Sequence, residues 1–143
     1  MLRRMREGAD IVTASYSAPG AHAYGVPVLR RVMSIIVNLL FEMTLPLPGV
    51  RTYTNGFRAY RVGALKAAEA QWGNRLIEEA GFAGGTELFL KTAINGARTA
   101  EIPFDLHYEN RGAGLSKIRV WDTIRGYLAL IRRMRPVFRH MKR

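Results

Sequence analysis

The chain has 143 residues, 48% of them hydrophobic and 23% charged, a balance that excludes global disorder and suffices for one globular domain with a core. Cysteine is absent, which rules out a disulfide framework and thiolate metal sites and fits a reducing compartment. The 22 Lys and Arg against 11 Asp and Glu leave a net charge of +11, an excess that favours polyanionic partners: nucleic acid, anionic lipid headgroups or phosphorylated substrates.

In chain order, the first eight residues are too polar for a secretory leader and read as the tail of a helix. Ala9 to Tyr16 is a β-branched run that predicts a buried strand, ending at Ser17, Pro19 and Gly20. Such an opening predicts that further strands precede it, because an open α/β sheet needs several to cover itself. Pro27 sits at the first turn of a predicted helix with Val28, Leu29, Val32, Ile35, Ile36, Leu39, Leu40 and Met43 at helical spacing, stopping before Pro46. Its apolar stretch falls short of the roughly 20 residues that span a bilayer, so an interfacial or buried helix is expected.

Arg51 to Arg61 predicts a turn feeding an extended stretch, and Val62 to Trp72 an alanine-rich helix. Gly81, Gly84 and Gly85 predict a flexible loop before a helix over Thr86 to Ala97, with Leu88, Phe89, Ala93 and Ile94 inward. Ala100 to Tyr108 alternates apolar and polar residues around Pro103, the pattern of an edge strand. A loop at Gly112 and Gly114 leads to a basic amphipathic helix from about Ile118 to Arg133, with Trp121, Ile124, Tyr127, Leu128 and Ile131 on one side, and then a basic tail over 135–143.

Arg30, Ser34 and Asn38, four residues apart, share one helix face. The row reads either as a solvent-facing stripe or as a set of donors for a phosphate at a lipid boundary. The loop Glu109 to Lys117 sets Arg111, Ser116 and Lys117 around two glycines, which suits either an anion held by converging amides or an ordinary surface turn. Asp10, Asp105 and Asp122 are far apart, and the adjacent Glu78 and Glu79 read as a solvated helix end, so no hard-cation cluster is evident. His22, His107 and His140 show no ligand spacing. The C-terminal helix suits either an anionic membrane surface or a core helix with a solvated basic tail. It lacks the interleaved aromatics that grip single-stranded nucleic acid, so a nucleic-acid partner is not expected.

Several blocks, in order, resemble family 2 glycosyltransferases of the dolichol- or polyprenyl-phosphate mannosyltransferase type, over roughly Gly8 to Met134: G-A-D-I-V-T-A-S-Y-S-A-P-G, R-R-V-M-S-I-I-V-N, T-N-G-F-R-A-Y, A-E-I-P-F and N-R-G-A-G-L-S-K. The resemblance implies an α/β chain that is the C-terminal half of a GT-A (Rossmann-like) fold with amphipathic interfacial helices. It implies a partial catalytic domain over 1–134, peripheral at the cytoplasmic face of the membrane. The parent enzyme would transfer a hexosyl group, with inversion, from a GDP- or UDP-sugar to a polyprenyl phosphate. Arg30, Ser34 and Asn38 would hold the acceptor phosphate, Arg111, Ser116 and Lys117 the donor phosphates, and Glu87 would position groups or act as base.

Tyr16 stands where the family carries a phosphate-binding Arg, and Thr52 where it carries Asp. The family's Asp-x-Asp half, which would bring Mg or Mn to the parent, has no counterpart here. The chain alone is therefore expected to need no cofactor and to be inactive. The alternative is a non-catalytic anion- or membrane-binding module on the same scaffold.

Overall fold

The computed structural model describes residues 1–107 and 120–141. Its helices are α1 (Leu2–Arg6), α2 (Val28–Thr44), α3 (Val62–Trp72), α4 (Gly81–Ile94) and α5 (Val120–Met141), with a short 3-10 turn over Gly73–Arg75. The strands are β1 (Ile11–Ser15), β2 (Ala23–Tyr24), β3 (Arg58–Tyr60), β4 (Thr99–Pro103) and β5 (Leu106–His107). The chain is thus mixed α/β.

β1 is the centre of a three-stranded sheet, antiparallel to β3 and parallel to β4. All its residues are buried, which is why its sequence runs Ile-Val-Thr-Ala-Ser without polar alternation. β4 lies at an edge, where Pro103, opposite Ser15, withholds no ladder hydrogen bond that the sheet needs. The predicted edge strand is broken at Phe104 and Asp105, and its second part, β5, joins β2 in a separate parallel ribbon.

α3 has its predicted bounds, and α2 ends before Pro46 as its sequence requires. α4 begins at Gly81, so Gly81, Gly84 and Gly85 form its first turns, not a flexible loop. The reason is close packing: a Cβ on Gly84 would stand 2.5 Å from the carbonyl oxygen of Glu79. α5 continues through Pro136, so Arg135 and Arg139 lie on the helix, not in a tail.

α4 is the axis of the core. Phe89, Leu90, Ala93 and Ile94 pack with Ile11 of β1, Phe41 and Leu45 at the end of α2, and Tyr127, Leu130, Ile131, Met134 and Phe138 of α5. Aromatic contacts tie these layers: Phe41 stacks on Tyr53 at 5.4 Å and meets Tyr127 edge-on at 5.6 Å, favourable geometries for ring quadrupoles. α5 crosses α4 at Gly126, where an added Cβ would lie 3.0 Å from the Cβ of Ala83. Trp121 and Leu128 were expected on the same side as Tyr127 and Ile131. They are exposed instead, because the arc that meets the core is that of Tyr127, Leu130, Ile131, Met134 and Phe138.

Asp10 fixes the entry to the sheet. Its carboxylate accepts the Arg98 backbone N–H at 3.0 Å and pairs with the Arg61 guanidinium at 2.9 Å. The Arg98 amide bond is the largest influence on its pKa; burial, the next largest, opposes it, and the Arg61 hydrogen bond with both guanidinium charges keeps the net shift below the usual carboxylate value. A depressed folded pKa means stability that is present in full above the unfolded pKa, about 4, and lost as pH falls through the lower folded value. Urea unfolding between pH 6 and pH 2 is therefore expected to show a midpoint that falls on acidification, with a shallower fall for Asp10→Asn. Identical slopes for the two proteins would show that Asp10 contributes no such linkage.

Candidate functional site

The Arg30, Ser34 and Asn38 row faces inward, which corrects the solvent-facing reading. Asn38 is only 8% exposed. Its Oδ1 accepts the backbone N–H groups of Tyr53 and Thr54 at 2.8 and 3.2 Å, and its Nδ2 donates to Ser34 Oγ at 3.3 Å. A helix cannot turn both faces to the core, so the aliphatic stripe points out: Val28, Leu29, Val32, Ile35, Ile36, Leu39 and Met43 are 45% to 77% exposed.

The segment after α2 is clamped against the end of β1 by buried polar contacts. Thr52 and Ser15 share a hydroxyl hydrogen bond at 2.6 Å, and Glu101 Oε1 accepts the N–H groups of Arg51 and Thr52 at 2.9 and 2.7 Å. Asn55 Nδ2 donates to the Ala14 carbonyl. Arg58 donates to the carbonyls of Tyr53 and Gly85 and to Thr13 Oγ1, and its guanidinium lies 4.3 Å from the Phe89 ring centroid. Burial lowers the Arg58 pKa while neighbouring Tyr60, Tyr127 and Glu101 oppose the shift. The T-N-G-F-R-A-Y block therefore builds the floor of a site through its backbone and amides.

Above this floor, at the C-terminal end of β1, two adjoining clefts of about 490 and 220 Å³ share Tyr16, Ala23 and Arg31. This is where ligands bind in open α/β sheets. The smaller cleft sets Arg30, Arg31, Ser34, Thr54 and Asn55 beside the apolar Ala23, Val26 and Leu106. The larger carries Ala18, Ala21, Ile35 and Leu39 together with Arg31, Asn38, Glu42 and Arg51. At the boundary the Tyr16 hydroxyl is hydrogen-bonded to Ser34 Oγ. Guanidinium forks beside hydroxyl donors suit a phosphate. Ile35 and Leu39 belong both to the larger cleft and to the exposed aliphatic stripe, so apolar surface runs unbroken from the cleft to the outside.

Glu87 lies elsewhere, fully buried. Its Oε2 accepts the N–H groups of Glu78 and Glu79, each at 2.7 Å, while Oε1 faces Lys91 Nζ at 2.7 Å and Arg133 at 3.1 Å. With both oxygens engaged it has no open side toward a substrate, and its position is that of an anchor. Glu78 is exposed, as expected, but it and the half-buried Glu79 are ion-paired: Glu78 with Lys91 at 3.0 Å and Arg133 at 3.3 Å, and Glu79 with Arg133. The Lys91 hydrogen bond is the main cause that lowers the Glu78 pKa. The network ties α4 and its leading turn to α5.

Among the described residues no group of three His, Asp or Glu is placed to hold a metal ion. Asp10 is committed to Arg61 and Arg98, and Asp105 to His22. These donors do not fit a Mg or Mn site. Arg111, Ser116 and Lys117 lie outside the described residues; Leu106, one residue before the described segment ends, lines the smaller cleft. Sequence reasoning missed Arg31 and Asn55 and noted Tyr16 only as a departure from the family pattern. The doubled Arg30-Arg31 and the T-N-G-F-R-A-Y block were the signals for the first two. No protein-family model matches the chain, and no solved structure matches it at a significant level.

Replacing Asn38 by Ala strands two backbone N–H groups, a loss on the order of 2 kcal/mol or more. Chemical denaturation is expected to show this loss for Asn38→Ala and a smaller one for Ser34→Ala. Equal, negligible losses would mean that the 53–54 turn holds without the amide.

Proposed function

We propose that this chain is the acceptor-binding part of a family 2 glycosyltransferase with a GT-A-like arrangement, peripheral at the cytoplasmic face of a membrane, that holds a polyprenyl phosphate for sugar transfer. The observation that carries this reading is the pair of joined clefts, polar at Arg30, Arg31 and Ser34 and apolar at Ile35 and Leu39, opening onto the exposed stripe of α2. An amphiphile with one anionic head and a hydrocarbon tail matches that polarity in order. The blocks that resemble the family add the reaction type. Among the described residues no helix is long and apolar enough to cross a membrane; in this reading the α2 stripe meets lipid at the surface, where covering each half-exposed aliphatic side chain contributes roughly 1 kcal/mol.

In this reading Arg30 and Arg31 neutralise and orient the phosphate, whose oxygen attacks the anomeric carbon of the donor sugar from the face opposite the departing nucleoside diphosphate. A phosphate monoester, with its second pKa about 6, is already anionic at neutral pH. The acceptor needs no general base, only placement, which agrees with a Glu87 committed to ion pairs. Arg111 and Lys117 would close over the donor phosphates. A second reading, a non-catalytic binding module, is favoured by one observation: no Asp-x-Asp occurs in these residues.

Titration of the chain in neutral detergent micelles with a short polyprenyl phosphate and with the matching polyprenol separates head from tail recognition. The phosphorylated lipid is expected to bind at least tenfold tighter, and Arg31→Gln to remove most of that margin, as for loss of one charge-assisted contact. Equal affinities for both lipids would end the proposal. In an assembly that transfers sugar, Arg111→Ala and Lys117→Ala are each expected to lower kcat/KM by an order of magnitude or more. Wild-type turnover with acceptor binding intact would leave the binding-module reading in place.

A further inference from the structure

The outer face of α5 has no role in the clefts described above. Arg125, Arg132, Arg135 and Arg139 are all exposed there, and at 100° per residue they fall within one stripe of the helix together with Trp121 and Leu128, which are 74% and 51% exposed. Arg133 shows the contrast. It is turned to the opposite side, into Glu79 and Glu87, whereas Arg132, Arg135 and Arg139 form no ion pair among the described residues. A groove of about 710 Å³ runs along this face, with Leu128, Ile131 and Pro136 as its apolar part and Arg132, Arg135, Arg139 and His140 as its polar part.

We propose that this face of α5 is a second lipid-binding surface, specific for the headgroups of anionic phospholipids and separate from the polyprenyl-phosphate cleft. The charge selects an anionic partner. The apolar residues interleaved with it select among anionic partners, since a helix carrying Arg around an exposed Trp and Leu lies at a lipid interface with its side chains reaching both headgroup and acyl boundary. A nucleic-acid backbone would meet the guanidiniums and leave the exposed Trp121 and Leu128 without a partner. The two lipid surfaces then divide the work: the α2 stripe is apolar and indifferent to headgroup charge, and α5 supplies the preference for negative membranes. Among the described residues none lines both the α5 groove and the clefts at α2, so either surface can fail while the other holds.

Cosedimentation of the full chain with phosphatidylcholine vesicles, with and without phosphatidylglycerol and in the absence of any polyprenyl phosphate, tests this directly. With three Arg at the surface, anionic vesicles are expected to bind on the order of a hundredfold tighter at low salt, and the margin to shrink as salt screens it. The triple variant Arg132→Gln, Arg135→Gln, Arg139→Gln is expected to lose that margin while keeping the wild-type circular dichroism spectrum and its affinity for polyprenyl phosphate in neutral micelles. Arg31→Gln should do the reverse. An undiminished preference for anionic vesicles in the folded triple variant would overturn the proposal. So would a duplex DNA that binds the wild-type chain more tightly than the vesicles do and loses binding through the same three substitutions. If the triple variant unfolds, Leu128→Gln replaces it; an anionic-vesicle affinity unaffected by that change would also count against the site.

Discussion

A single carboxamide sets how this molecule meets its surroundings. Asn38 accepts the N–H groups of Tyr53 and Thr54, and a donor pair at that depth cannot be left without an acceptor, because each stranded amide costs on the order of 1–3 kcal/mol. The helix that carries Asn38 must therefore keep its polar row against the sheet end. Its aliphatic row is forced outward as a consequence. The same rotation that satisfies two backbone groups exposes a stripe of seven large apolar side chains, far more contiguous than scattered surface leucines.

The core and the polar clamps share the load unevenly along the molecule. At the end of β1, shape is held by hydrogen bonds: Ser15 to Thr52, Asn55 to Ala14, and Arg58 to three acceptors. Tyr53 lies where this region meets the core, stacked on Phe41 and bonded through its hydroxyl to Leu47 N–H, and burial pushes its pKa up to about 12. At the other end, α4 and α5 are joined by apolar packing and by the Glu87 network. Buried ions earn their place only when their remaining valences are filled, and Glu87, with two amides on one oxygen and two cations on the other, meets that condition.

How far the sequence spoke depended on whether a signal was local. β1, α3 and the end of α2 were legible, since a continuous β-branched run, an alanine-rich stretch and a Pro46-Leu-Pro48 stop are properties of adjacent residues. The start of α4 was not. Gly81, Gly84 and Gly85 read as a loop, yet Gly84 answers to a carbonyl that only the folded turn brings near. The Arg30, Ser34 and Asn38 row was legible as a row, but periodicity defines a face without saying which side of the helix it lies on; the partner amides of Tyr53 and Thr54, distant by 15 and 16 residues, decide that. The pairing of Glu78 and Glu79 was hidden because Lys91 and Arg133, which hold them, come from further along the chain.

The basic excess, finally, is not one property but three. Arg58, Arg61, Lys91 and Arg133 are spent inside the fold on carbonyls and carboxylates. Arg30 and Arg31 stand at the polar end of the cleft. Arg132, Arg135 and Arg139 lie on the outer side of α5. The second and third groups sit on different helices beside different apolar surfaces. A polyanion such as nucleic acid would use every exposed charge alike and gain nothing from the aliphatic stripe of α2. A lipid bilayer would use both kinds of surface at once, which is why the proposal of a membrane partner rests on the distribution of the charge more than on its size.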